Sequence, residues 1–316
     1  MCKGENRMTE LAVSTKEIVK EFPNKRAVDG ISLDIKKGEI FGILGPNGAG
    51  KTTFLRMLAT ITKVSKGKAM IFGKDVAKDA RKVRSLIGLT GQYATIDEEL
   101  TAMENLKLFG QLNGLSASQS KARALELLNQ FSLTEAKDRP IREFSGGMRR
   151  RLDLSVSLIV KPPLIFLDEP TTGLDPRTRG EMWEVIRNLA SNGATILLTT
   201  QYLEEADQLA DRLAIINHGR IISQGTPNEL KSLLSDTHFE INLEHMRDAE
   251  RAKGLIKAEI GQEAMISPEG TQLTVKLADT KVMTRLLVDL TQQDIEIKEF
   301  SVRKPTLDEV FLELTK

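Results

Sequence analysis

The 316-residue chain has a single cysteine, Cys2, so no disulfide can close within it and a cysteine-rich metal site is excluded. A reducing compartment suits that composition. Aromatic residues make up only 4%, with one Trp and two Tyr, too few for a base-stacking platform. Neither sign of charge prevails: 45 Lys and Arg stand against 44 Asp and Glu, a formal net charge of +1. There is no electrostatic case for wrapping a nucleic-acid backbone, and no nucleic-acid partner is expected. Long hydrophobic runs are also missing. No stretch reaches about 18 apolar residues, so the chain is not expected to cross a membrane by itself. The greasiest segment, Leu154 to Leu167, is broken by Lys161, Pro162 and Pro163. The charged N-terminus has no apolar segment behind it, which argues against a signal peptide; residues 1–8 are read as a disordered tail. What remains is the profile of a soluble globular chain long enough for two domains.

Residues 12–45 read as strands. Ile31, Leu33 and Ile35 alternate with polar residues, as in a half-buried strand, whereas Glu39 to Leu44 is nearly all apolar, as in a strand buried on both faces. A helical face of Phe54, Leu55, Leu58 and Ile61 follows. Residues 101–158 carry helical spacing only, with Ser116-Ala117-Ser118-Gln119 as a capping box. Short buried strands return at Leu164–Asp168, Ala194–Thr199 and Leu213–Ile216. Asp175-Pro176 and Thr226-Pro227 read as helix starts. The pattern predicts an α/β domain over 9–235, with a mainly parallel sheet and a helical insertion at about 101–158. From 236 to 316 the order of elements becomes βαββαβ, a ferredoxin-like α+β arrangement, followed by a last amphipathic helix with Leu307, Val310, Phe311 and Leu314 in one stripe. That stripe is expected to pack against its own domain or a dimer partner.

Three motifs carry chemistry. Gly45-Pro46-Asn47-Gly48-Ala49-Gly50-Lys51-Thr52, followed by Thr53, fits the phosphate-binding loop G-x-x-x-x-G-K-[ST], with a buried strand before it and a helix after. Its glycines let backbone N–H groups point at phosphate oxygens; Lys51 supplies a cation and Thr52 a hydroxyl for magnesium. Asp168 and Glu169 end a buried strand, one placed for a magnesium shell and the next for a water-activating base. Ser145-Gly146-Gly147, before Met148 and three arginines, opens a helix and forms a second anion-binding end.

Together these segments resemble the ATP-binding cassette family, with Met148 where Gln is common in its signature motif. The resemblance implies a P-loop NTPase cassette, ATP and Mg2+ as cofactors, and further roles at matching positions. Gln92, in Leu89-Thr90-Gly91-Gln92, looks like the glutamine that reaches magnesium; Asp175, after Gly173-Leu174, like the loop that crosses between subunits; Phe22 like the aromatic stacked on adenine. Gln201 stands where the family usually has a switch histidine. A glutamine amide can donate to the γ-phosphate but cannot shuttle a proton. The Ser145–Leu154 and Thr199–Leu203 segments and the tail Lys304–Leu312 resemble the daunorubicin-resistance type of drug-exporter ATPase subunit.

That resemblance implies an ATP-hydrolysing subunit at the cytoplasmic face of the cell membrane, paired with a separate membrane-spanning permease and a second ATP-binding subunit, with a homodimer expected. Each site would combine Lys51, Thr52, Gln92, Asp168 and Glu169 of one chain with Ser145 and Gly147 of the other. The alternatives are a soluble cassette ATPase acting on DNA or ribosomes, and a non-hydrolysing regulatory subunit. Ser145 follows Lys51 too closely for the long coiled coil of the DNA-repair type, there is one cassette rather than two, and Glu169 speaks against a regulatory role.

Overall fold

The computed structural model describes residues 11–90, 96–234, 237–277 and 280–315. The N-terminal residues 1–8 and Gln92 lie outside the described residues. The chain divides into two compact units, residues 1–227 and 228–316.

The first unit opens with a hairpin, β1 (Leu11–Phe22) and β2 (Lys25–Lys36), then β3 (Ile40–Leu44) and α1 (Lys51–Leu58). Next come β4 (Lys66–Ile71), β5 (Lys74–Asp75), α2 (Ala80–Arg84) and β6 (Ile87–Thr90). Three helices make the insertion: α3 (Ala102–Leu112), α4 (Ala117–Gln130) and α5 (Gly146–Ser157). The chain returns through β7 (Leu164–Asp168), α6 (Pro176–Ser191), β8 (Thr195–Thr200), α7 (Leu203–Leu209), β9 (Arg212–Asn217) and β10 (Arg220–Gly225), and the short α8 (Pro227–Lys231) begins at the unit's last residue. One sheet is antiparallel, in the order β2-β1-β4-β5; the other runs β10-β9-β3-β8-β7-β6 and is parallel except at β10.

The parallel sheet is covered on both faces, which explains its continuous apolar strands. Along β7, Leu164 and Phe166 point into a core shared with α1 and the β1–β2 hairpin. Ile165 and Leu167 point into the opposite core, against the helical insertion and α6. Each large side chain buried this way contributes roughly 1.5–3 kcal/mol. The insertion helices start where their caps dictate: Thr101 with Glu104 and Ser116 with Gln119 form reciprocal capping boxes. One expectation is corrected. Helix α1 ends at Leu58 and Thr60 turns left-handed at φ 62, so Ile61 leaves the buried face and is 62% exposed.

The second unit holds β11 (Thr237–Leu243), α9 (Ala249–Ile260), β12 (Met265–Ile266), β13 (Gln272–Leu277), α10 (Thr280–Gln292), β14 (Ile297–Arg303) and α11 (Leu307–Leu314). Its sheet is antiparallel in the order β12-β13-β11-β14, the ferredoxin-like arrangement. Phe239, Ile241 and Leu243 of β11 alternate onto the face covered by α9 and α10. Helix α11 is capped by Thr306 and Glu309, and Glu309 also meets Arg303 at 3.0 Å and His238 at 3.3 Å. The terminal stripe is only half realised: Leu307 and Val310 are buried, whereas Phe311 is half-buried and Leu314 lies at the surface. Val310→Asp should therefore lower stability by about 2–4 kcal/mol, and Phe311→Asp by clearly less. Thermal melts of the full chain check this; equal midpoints for the two variants would contradict it. No helix among the described residues is long and apolar enough to cross a membrane.

Candidate active site

Strands β3, β8 and β7 lie side by side and parallel, and their register aligns their ends. Leu44 pairs with Thr200, and Asp168 with Thr199. The segments that begin at Gly45, Glu169 and Gln201 therefore leave the sheet at the same edge, outside the carboxyl ends of the strands, where open α/β sheets bind ligands.

The loop from Gly45 to Gly50 turns from β3 into α1. A side chain at Gly45 would strike the carbonyl of Ile216, and one at Gly50, φ 107, the carbonyl of Ala27. Both positions accept only glycine, so the backbone amides stay bare around the loop. Lys51 is buried, and its Nζ donates to the carbonyls of Gly45 (2.7 Å) and Pro46 (3.1 Å). It also lies 3.5 Å from Glu169 Oε1. Burial pushes the Lys51 pKa down, while Glu169 and then Asp168 pull it back up.

Asp168 Oδ1 accepts from Thr52 Oγ1 at 3.1 Å and from the Thr199 hydroxyl. Among the described residues no group of three or more His, Cys, Asp and Glu could hold a metal. A hydroxyl and one carboxylate nevertheless fit magnesium, which keeps several waters and takes its other oxygens from phosphates. Glu169 is buried in the left-handed region, at φ 50. Its N–H donates to Thr199, and its Oε2 accepts from Thr172 Oγ1 at 3.3 Å.

A cavity of about 350 Å³ opens on this loop, lined by Asn47, Gly48, Gly50, Lys51, Thr52 and Thr53, by Glu169, and by Phe22, Lys25 and Ala27 from the hairpin. Phe22, distant in sequence, is thus brought to the loop. It is 47% exposed and carries Lys20 Nζ 5.0 Å from its ring centre, so it is no core residue. An open ring face stacks a planar base for roughly 1–3 kcal/mol.

Ser145, Gly146, Gly147 and Asp175 do not line this cavity; Ser145, Gly147 and Asp175 come together in a second cluster. Ser145 Oγ caps α5 by accepting from Met148 N, and Gly147 lies so close to Thr178 that a side chain would collide with it. Asp175 caps α6 by accepting from the N–H (3.0 Å) and hydroxyl (2.6 Å) of Thr178, bonds that hold its pKa low. Two helix N-termini thus stand against each other, an arrangement that favours an anion. Gln201 is the first residue beyond β8 and is half-buried. Its turn is pinned by Tyr202 N donating to Thr200 Oγ1 at 2.9 Å.

Sequence patterns missed three contributors. Thr199 bonds both acidic residues' surroundings, and the signal was a hydroxyl closing an otherwise apolar strand. Lys25 Nζ donates to Gly48 O at 3.2 Å. Arg150 donates to the carbonyls of Asp168, Glu169 and Pro170, and a run of three arginines hid which one points inward.

A glycine loop between strand and helix, with an acidic pair on a nearby parallel strand and a Ser-Gly-Gly helix start on an inserted helical layer, defines a P-loop ATPase of the ATP-binding cassette class. The chain belongs to the ABC transporter family, whose model matches residues 28–172; residues 225–315 match the ATP-binding protein DrrA1-3-like C-terminal domain. It is 46% identical to the daunorubicin/doxorubicin resistance ATP-binding protein DrrA of Streptomyces peucetius, over 98% of this chain and 94% of that protein. It is 42% identical to the doxorubicin resistance ATP-binding protein DrrA of Mycobacterium tuberculosis (strain CDC 1551 / Oshkosh), over 98% and 95%. A solved ATP-binding cassette, dimeric in a post-hydrolysis state with ADP and Pi, superposes with a TM-score of 0.62 at 26% identity, over 68% of this chain and 98% of that one. The chain is thus an ATP-binding, ATP-hydrolysing subunit of a transporter.

Proposed function

We propose that ATP hydrolysis by this chain powers efflux of a drug-like or lipophilic substrate through a separate membrane-spanning permease. It works at the cytoplasmic face of the cell membrane, paired with a second ATP-binding subunit, expected to be a second copy. Likeness to two drug-resistance ATP-binding proteins over 98% of the chain supports the efflux part. One observation carries the catalytic part: Glu169 lies 3.5 Å from Lys51 on the wall of the loop cavity.

The chemistry follows from that geometry. Loop amides take the phosphates, and Lys51 transfers its donors from the Gly45 and Pro46 carbonyls to the outer phosphate oxygens. Phe22 takes the adenine. Thr52 and Asp168, with Gln92, would hold magnesium, which when bound neutralises phosphate charge. Glu169 accepts the proton of the attacking water as that water bonds to the γ-phosphorus and the bond from that phosphorus to the β–γ bridging oxygen breaks, releasing ADP and inorganic phosphate. The Gln201 amide donates to a γ-phosphate oxygen. Ser145 and Gly147 of the second subunit close the site over the same phosphate.

Copurification of the full chain from native membranes in mild detergent tests the assembly. A membrane-spanning partner that stimulates ATP turnover is expected; turnover indifferent to every copurifying membrane protein would overturn it. Gln201 tests the switch. Its hydrogen bond to a charged oxygen is worth about 1.5–3 kcal/mol, so Gln201→Ala should slow hydrolysis about 10- to 100-fold yet still bind ATP. Gln201→His should keep turnover and acquire a titration between about pH 6 and 7. Steady-state assays across pH decide, and full activity in the alanine variant would make Gln201 a bystander.

A further inference from the structure

Strand β7 ends at Asp168, and the next residue, Glu169, adopts a left-handed backbone that residues with a Cβ avoid. Such a conformation persists only where its surroundings over-determine it. Here the constraint can be named. The carbonyl oxygens of Asp168, Glu169 and Pro170 all accept from one side chain, Arg150 of α5. Its Nη2 reaches Asp168 O at 3.1 Å and Glu169 O at 2.9 Å, and its Nε reaches Pro170 O at 2.9 Å. The guanidinium is largely buried and lies 3.8 Å from the buried Asp153, one helical turn along α5. A planar fork with several donors fits three consecutive carbonyls; an ammonium is a point donor and does not. On its far side the same turn is tied by Thr171 Oγ1, which donates to buried Glu205 at 2.7 Å. Arg150 thus grips the peptide groups on both sides of Glu169 with one side chain, where Thr199 holds the first through the Glu169 N–H and the Thr172 N–H the second through the Glu169 carbonyl.

We propose that Arg150 is a positioning residue for ATP hydrolysis: by binding the carbonyls of Asp168, Glu169 and Pro170 it fixes the backbone turn that aims the Glu169 carboxylate. The proposal rests on Glu169 being the water-activating base. Arg150 touches neither nucleotide nor water in this role. Because α5 begins beside Ser145, one rigid helix carries both that grip and the end that faces a second subunit.

The test uses the purified full-length chain with Arg150→Met, which keeps bulk and removes the donors, and Arg150→Lys. Misplacing a catalytic group by about 1 Å costs roughly 100-fold, so Arg150→Met should lower kcat about 10- to 100-fold while KM for ATP stays within about twofold. Arg150→Lys should fall between that variant and the parent. In a Glu169→Gln background, single-turnover hydrolysis should show no further loss from Arg150→Met, because a grip on an absent base has nothing left to aim. Parental kcat in both Arg150 variants, or a full additional loss in the double variant, overturns the proposal. A lowered melting midpoint with unaltered kcat also overturns it, reducing Arg150 to a structural tie. Should Arg150→Met fail to fold, Arg150→Lys in the Glu169→Gln background carries the same comparison. Parental turnover in Glu169→Gln alone would instead remove the base assignment, and the proposal with it.

Discussion

Glu169→Gln should reduce ATP turnover by about 10²–10⁴-fold and leave ATP binding intact. The amide keeps the shape of the side chain and can still accept from Thr172, but it has no basic oxygen for a water proton. The glycine loop, Thr52 and Asp168 are untouched, so the nucleotide still docks and closed dimers should accumulate with unhydrolysed ATP. Rapid-quench single-turnover assays give the rate and size-exclusion chromatography with ATP gives the dimer. A rate near that of the parent would show that another group activates the water.

Lys51→Ala should weaken ATP binding by about 100-fold or more and abolish transport. Hydrogen bonds to charged groups are worth about 1.5–3 kcal/mol each, and the Lys51 ammonium has two such donors already aimed at loop carbonyls, ready to be exchanged for phosphate oxygens. The substitution also strips Glu169 of a buried cation at 3.5 Å. A buried carboxylate left without its partner is costly, so the apo protein should lose stability as well. Titration calorimetry measures the affinity; an unchanged Kd would remove the phosphate-loop assignment.

Much of this site was legible because local chemistry dictates it. Only glycine fits at Gly45 and Gly50, and only a strand buried on both faces reads as continuously apolar as β3 and β7. The caps at Ser116 and Asp175 were legible for the same reason, each being settled within four residues. What escaped depends on distant backbone. Nothing in Arg149-Arg150-Arg151 distinguishes the guanidinium that meets three carbonyls from its neighbours, because all three satisfy a helix equally well. Ile61 kept helical spacing beyond the point where Thr60 turns left-handed, since spacing alone carries no stop signal. In α11 the stripe was readable, but its depth depends on how far the surrounding surface extends, and that is a tertiary property.

The left-handed seat of Glu169 sets two demands against each other. Glycine would occupy it freely, whereas an L-residue gives up about 1–2 kcal/mol of folding free energy there. The backbone alone favours glycine at this turn, but glycine would leave the buried Lys51 ammonium without the carboxylate 3.5 Å away. A substitution that relaxes the backbone at this position therefore strips a buried cation of its partner, so the turn is held against its own local preference by the pairing of its side chain.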